Sequence, residues 1–382
     1  MSRRPTPVYW RPSRVPLVAL ALLGAIAVGL LAAVETLRAR GSSVYREEML
    51  AASRTVERGI EHLRPLRGAI EPIDPDVDPL RSGLIGVGSS PVTSNSGHLP
   101  AKQSTINPNW GAVAVRLMAE AGVREGDVVA VAVSGSFPAL NLAVYAAAEA
   151  LGAESLVIVS ASASQWGANV PGFLWVDMAR ELRGGGLIST RAVAATLGGR
   201  EDRGIGIPDA GRTSIRRSVE QAELELVVPE SYRAAVWERI ARYDEHAEGR
   251  PIVAMVNVGG GTATTGPESV DHHFAPGLQR GAPARAFSVP SVLGHFLDEG
   301  VPVIHLSGIE TLAERFGLPH PPGAMPRLGS GGVYEATRYR RWLAGLAIGL
   351  LLGATWFVTC STTIRSLITR TASEDTQLEP RV

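Results

Sequence analysis

Two uncharged apolar runs bracket the chain, and no comparable run lies between them. The first is Val15–Val34 (VPLVALALLGAIAVGLLAAV) and the second is Trp342–Thr359 (WLAGLAIGLLLGATWFVT). Each is about long enough to cross a hydrocarbon core of roughly 30 Å as a helix. Arg11 and Arg14 precede the first run, and Arg38 and Arg40 follow it; Arg340 and Arg341 abut the second, with Arg365 beyond. Guanidinium is costly to bury in lipid, so such flanks set the ends of a span. The sequence after the first run, ETLRARGSSVYREE, lacks a small-x-small cleavage site, which favours a retained anchor. The expectation is a two-pass protein of the cell membrane whose body is tethered twice to the same face. Arginines are balanced around the first run: Arg3, Arg4, Arg11 and Arg14 before it, and Arg38, Arg40, Arg46 and Arg54 after it. The positive-inside rule therefore does not choose the face.

The expected organisation is a tail (1–14), a span (15–34), an amphipathic stalk and linker (38–82), an α/β soluble domain (83–337), a second span (342–360) and a polar tail (361–382). With 37 basic and 37 acidic residues the chain has no basic excess, which argues against nucleic acid as a partner. The single cysteine, Cys360, lies at the end of the second run. The body therefore has neither a disulfide nor a thiolate for catalysis or metal binding. Lys102 is the only lysine beside 36 arginines.

Arg38–Leu66 has helical spacing of Val44, Leu50, Ala51, Val56, Ile60 and Leu63, which suggests a stalk or lid. The Pro/Asp cluster that follows (GAIEPIDPDVDPLRSG) reads as a solvated linker, because prolines interrupt Asp74, Asp76 and Asp78 and the calcium-loop pattern is incomplete. From Asn109 onward, helices alternate with short apolar strands. Strands are expected at Asp127–Val133, Ser155–Ser160, Pro251–Val258 and Pro302–Leu306. Helices are expected at Trp110–Ala121, Pro138–Leu151, Ser189–Leu197, Thr213–Leu224, Ser231–Ala247, Pro290–Asp298 and Glu310–Phe316. That alternation predicts an α/β fold with a mostly parallel sheet flanked by helices, bracketed by the two transmembrane helices.

In open parallel sheets, ligands bind beyond the carboxyl ends of the strands. Four predicted strand ends run into Ser/Thr/Gly loops: Ser134-Gly135-Ser136-Phe137-Pro138, Ser160–Trp166, Asn257–Gly266 (NVGGGTATTG) and Ser307-Gly308. Such loops offer hydroxyls and backbone N–H groups to an anion, although they also suit ordinary tight turns. Asn257, Gly259, Gly260, Gly261, Thr262 and Ser307 are therefore candidate ligand-binding residues. None of these loops completes a dinucleotide fingerprint or a P-loop, and the sequence assigns no cofactor. Ser134 and Ser136 are candidate nucleophiles at a strand-to-helix elbow, without the G-x-S-x-G frame. A long polar stretch, Gly86–Trp110, carries His98 as a candidate ligand residue and Lys102 as a candidate base or counter-charge. Asp271, His272, His273 and His305 lack the spacing of a metal site, and none is assigned.

Three segments together, GVGSSPVTSNSGHLPAKQSTINPNWGAVAV, VSGSFPALNLAVYAAAEALG and VNVGGGTATTG, sit within the double-anchored layout. Over about Tyr45–Tyr339 the chain resembles the poly-γ-glutamate system protein family. The resemblance implies a membrane component accompanying bacterial synthesis and export of that polymer, with poly-γ-glutamate or its synthase subunits as partner and an extracytoplasmic body. It carries no catalytic residue over. The leading expectation is an accessory protein that binds the polyanion or its synthase. The alternative is a γ-glutamyl hydrolase or transferase using Ser134 or Ser136 with Lys102 or a histidine.

Overall fold

The computed structural model describes residues 17–360, so the expected tails and the arginines within them lie outside the described residues. The chain divides into two units, one built from its two ends and one spanning Ser42–Glu335. In the first unit, helices Leu17–Thr36 and Arg341–Cys360 lie side by side. The segments Leu17–Thr36 and Arg341–Val358 are long and apolar enough to cross a membrane. At the polar end of this pair, Tyr339 donates its hydroxyl to Glu35 Oε1 at 2.7 Å, and Arg38 donates to Tyr339 Oη at 3.0 Å.

The second unit is built on a seven-stranded sheet. Its strands are β1 (Val128–Ser134), β2 (Glu154–Ser160), β3 (Ala192–Thr196), β4 (Leu226–Val227), β5 (Ile252–Val258), β6 (Gly277–Gln279) and β7 (Val303–Leu306). They are ordered β4-β3-β2-β1-β5-β7-β6, and every pair is parallel except β7 with β6. The predicted mostly parallel α/β sheet is therefore present.

Period-2 side-chain alternation divides the strands between two cores. Val129, Val131, Val133, Val157 and Val159 face one core, whereas Val128, Ala130, Ala132, Leu156 and Ile158 face the other. The first core is covered by helices Arg46–Ile70, Trp110–Ala121, Pro138–Ala150 and Trp175–Gly184; the second by Tyr232–Ala247 and Val292–Asp298. Burial on both faces explains why these strands read as continuous apolar runs.

Three local expectations change. Ser189–Leu197, expected to be helical, contains strand β3 instead. Its alanine-rich run has no distinct period, and ladder bonding to β2 on one side and β4 on the other decides its state. The expected stalk is part of the body. Helix Arg46–Ile70 buries Met49, Ala52, Val56, Ile60 and Leu63 in the first core, because one apolar face suits a sheet-covering helix as well as a free one. The expected solvated linker is organised by buried Asp78, whose Oδ2 accepts from Ser82 Oγ at 2.9 Å and Gly83 N at 2.8 Å.

Leu63→Ala is expected to destabilise the protein by about 2–5 kcal/mol through lost burial and a cavity. At an exposed stalk position the same change would cost under about 0.5 kcal/mol. Denaturant unfolding of the full chain in detergent distinguishes the two, and a cost near zero would remove this helix from the core.

Candidate functional site

The winding of the sheet defines the site. From β1 the chain moves outward through β2, β3 and β4, then returns to place β5 on the other side of β1 and continues to β7. Connections after β1 and β5 therefore leave in opposite directions, which opens a crevice at their carboxyl ends. A cavity of about 350 Å³ lies there, lined by Ser134, Ser136, Ser160, Ser162, Arg200 and Thr262, among others.

Register places three hydroxyls in one row across the sheet, because Ser134 pairs with Ser160 and Ser160 with Thr196. The turn after β1 is drawn against the turn after β2: Gly135 N donates to the carbonyls of Ser160 and Ser162, both at 3.1 Å. A Cβ on Gly135 would lie 2.9 Å from Ser162 O, so only glycine permits this approach. On the opposite wall, Gly259 has φ +79°, and a Cβ there would sit 3.2 Å from Ser134 Oγ. Two of the glycines between β5 and Thr262, Gly260 and Gly261, line the cavity directly.

A third wall is the loop after β3, Gly198–Gly206. Glu201 and Asp202 are consecutive non-glycine residues with φ near +60° (60° and 58°), a conformation that costs on the order of 1–3 kcal/mol each. Both are held by specific partners. Glu201 N donates to Thr262 Oγ1 at 2.7 Å, joining the loop after β3 to the loop after β5. Asp202 is buried and accepts from Arg239 Nε at 2.5 Å, Ser160 Oγ at 2.9 Å and Thr196 Oγ1 at 3.0 Å. Arg239, itself buried on helix Tyr232–Ala247, also donates to Ser160 Oγ at 2.7 Å. The carboxylate of Asp202 is thus neutralised within the wall.

Two cations near the crevice have no such counter-charge. Arg200 lines the cavity, and among the described residues its guanidinium has no ion-pair or hydrogen-bond partner. Lys102 lies behind the β1 turn, on helix Leu99–Thr105. Its ammonium donates to Ser136 O at 2.5 Å and Ser164 Oγ at 2.7 Å and lies 3.8 Å from the Phe137 ring centre. No carboxylate among the described residues forms an ion pair with it, and burial pushes its pKa down to about 7. The stretch Gly86–Trp110 is thus not structureless; it contains a buried helix that carries this lysine.

The remaining candidates are dispersed. Asn257 is buried below the crevice, where its Nδ2 donates to Gly259 O at 2.6 Å and lies 2.9 Å from His305 Nδ1. It shapes the glycine loop from beneath. Burial pushes the His305 pKa down to about 4, and the neutral ring accepts from Asn257 at Nδ1. His98 is exposed and pairs with Glu310 at 3.2 Å, outside the cavity, and Ser307 is also outside its lining. Sequence reasoning missed Arg200, Asp202 and Arg239. The available signal was GGREDRGIG after an alanine-rich run, which becomes a strand-end loop once that run is a strand.

No family model matches the chain, and neither a curated protein nor a solved structure matches it.

Asp202→Ala leaves Arg239 as a buried, unpaired charge and is expected to cost about 3–5 kcal/mol, measured by thermal unfolding. A change under about 1 kcal/mol would mean that the pair does not hold the loop. Lys102 gives a second test. Its native pKa of about 7 lies below the unfolded value of about 10.4, so the unfolded chain binds the extra proton between those values. Stability therefore rises with pH across that window, by up to about 1.4 kcal/mol per unit, and this group adds no pH dependence below it. Lys102→Met is expected to flatten the rise. Parallel curves of unfolding midpoint against pH for the two proteins would contradict the assignment.

Proposed function

We propose that this is a membrane-tethered component of a poly-γ-glutamate synthesis or export system that binds the polymer's carboxylates in the crevice between β1 and β5. The observation that carries the reading is the unpaired guanidinium of Arg200 on a wall of serine hydroxyls and glycine backbone. Arginine presents a planar fork of donors that matches a carboxylate in bidentate geometry. The Asp202 carboxylate is neutralised by Arg239 and does not oppose an incoming anion. The Lys102 ammonium adds a second uncompensated positive charge behind the turn. In this reading the two apolar helices keep the body at the membrane, on the extracytoplasmic face, where an exported polymer emerges.

A second reading is serine-dependent cleavage or transfer of γ-glutamyl amides. Its support is that Ser134 and Ser136 line the cavity while a lysine with a lowered pKa lies behind them. The geometry favours it less, because Lys102 Nζ bonds the Ser136 carbonyl and the Ser164 hydroxyl instead of either candidate nucleophile.

The test uses the full chain in nanodiscs, titrated with poly-γ-glutamate by calorimetry. Binding is expected, and Arg200→Ala should weaken it roughly tenfold or more, as for the loss of a charge-assisted hydrogen bond of about 1.5–3 kcal/mol. Affinity should also fall as salt rises. No binding at low salt would overturn the proposal. Chain shortening that Ser134→Ala or Ser136→Ala abolishes would replace it with the second reading.

A further inference from the structure

We infer that the crevice is one end of a longer binding track, so that the ligand is an internal run of several γ-glutamyl units and not free glutamate. The inference rests on the proposed carboxylate-binding function. A second cavity, of about 580 Å³, adjoins the first, and the two share Arg200 and Thr262 as common lining. Ligand sites typically occupy roughly 300–1,000 Å³. The first cavity alone is near the lower limit of that range, whereas both together extend towards the upper one.

The residues at the junction suit a chain that continues through it. Arg200 lines both cavities and has five N–H donors with no partner among the described residues, so one guanidinium can serve carboxylates on either side. Thr262 Oγ1 accepts from Glu201 N at 2.7 Å, which ties the loops after β3 and β5 together at the junction. Beyond it, Tyr232, Pro267 and Val289 offer apolar surface. A γ-linked glutamyl chain places methylene groups between successive amides and one carboxylate on each unit. Methylenes can pack against those three residues while carboxylates turn towards Arg200 and solvent. Glu201 also lines the second cavity and pairs with Arg203 at 3.1 Å. The pairing weakens its repulsion of a polyanion, and the residual negative charge turns ligand carboxylates away from that wall. The first cavity thus recognises charge, and the second recognises continuation of the chain.

The test compares free glutamate with γ-glutamyl oligomers of two to eight units, titrated into the full chain in nanodiscs. Affinity is expected to rise at least tenfold from the monomer to oligomers of a few units and then level off once both cavities are filled. Val289→Trp, which fills the second cavity, should bring the ratio of long-oligomer to short-oligomer affinity towards one. Ser269→Glu, which adds a negative charge there on a side chain smaller than tryptophan, should reduce the same ratio and guards against a folding defect in the first variant. Equal affinity for glutamate and all oligomers would overturn the track while leaving carboxylate binding intact. So would a length dependence unchanged in both variants. Failure of every oligomer and of the polymer to bind would overturn carboxylate binding itself.

Discussion

The arrangement at the site depends on one reversal of direction. After β1 the chain winds one way through three strands, and it then returns to the other edge of β1 through β5. Helices that connect adjacent parallel strands cover the sheet faces, but at the reversal the two departing connections diverge and leave a crevice. Backbone groups at those strand ends need partners or solvent, and here they meet four Ser/Gly-rich turns that come within hydrogen-bonding distance of one another. Once β1 and β5 are adjacent, Ser134 and Gly259 must face each other, and the remaining walls are added from loops further along the chain.

Those walls are held by polar contacts, in contrast to the apolar cores beneath them. Asp202 and Arg239 form a buried ion pair joined by two hydroxyls, and together they fix a loop in a left-handed conformation. Removing one partner of such a pair costs more than the pair contributes, since the survivor stays buried and charged. Lys102 differs: its charge has two oxygen acceptors and an aromatic face but no carboxylate. It is therefore held at an electrostatic disadvantage that an anion bound in the neighbouring crevice would relieve. Both features expend stability at the crevice, as is common where a ligand is accommodated.

Much of the fold was legible because burial on both faces makes parallel strands read as unbroken apolar runs, as with VVAVAVS and IVAMVNV. Where composition was ambiguous, sequence reasoning failed. AVAAT is three-fifths alanine, with Val193 and Thr196 its only β-branched residues and no clear period, and its neighbours in the ladder make it a strand. That single misassignment concealed the loop bearing Arg200 and Asp202. Helix Arg46–Ile70 was identified as an amphipathic helix, but its partner was not, since a hydrophobic stripe does not specify what covers it. Ser134, Ser136 and the glycine loop were found from their position after apolar runs. Long-range pairings such as Arg239 with Asp202 and Glu201 with Thr262 leave no local signature.

The α/β body begins and ends at adjacent points, since Ser43 N donates to Tyr334 O at 3.1 Å and strands Ala39–Ser42 and Glu335–Arg338 pair in a small sheet of their own. In topological terms the body is an insertion into a helical hairpin. The two ends of the body therefore leave it side by side, at residues outside the lining of the crevice.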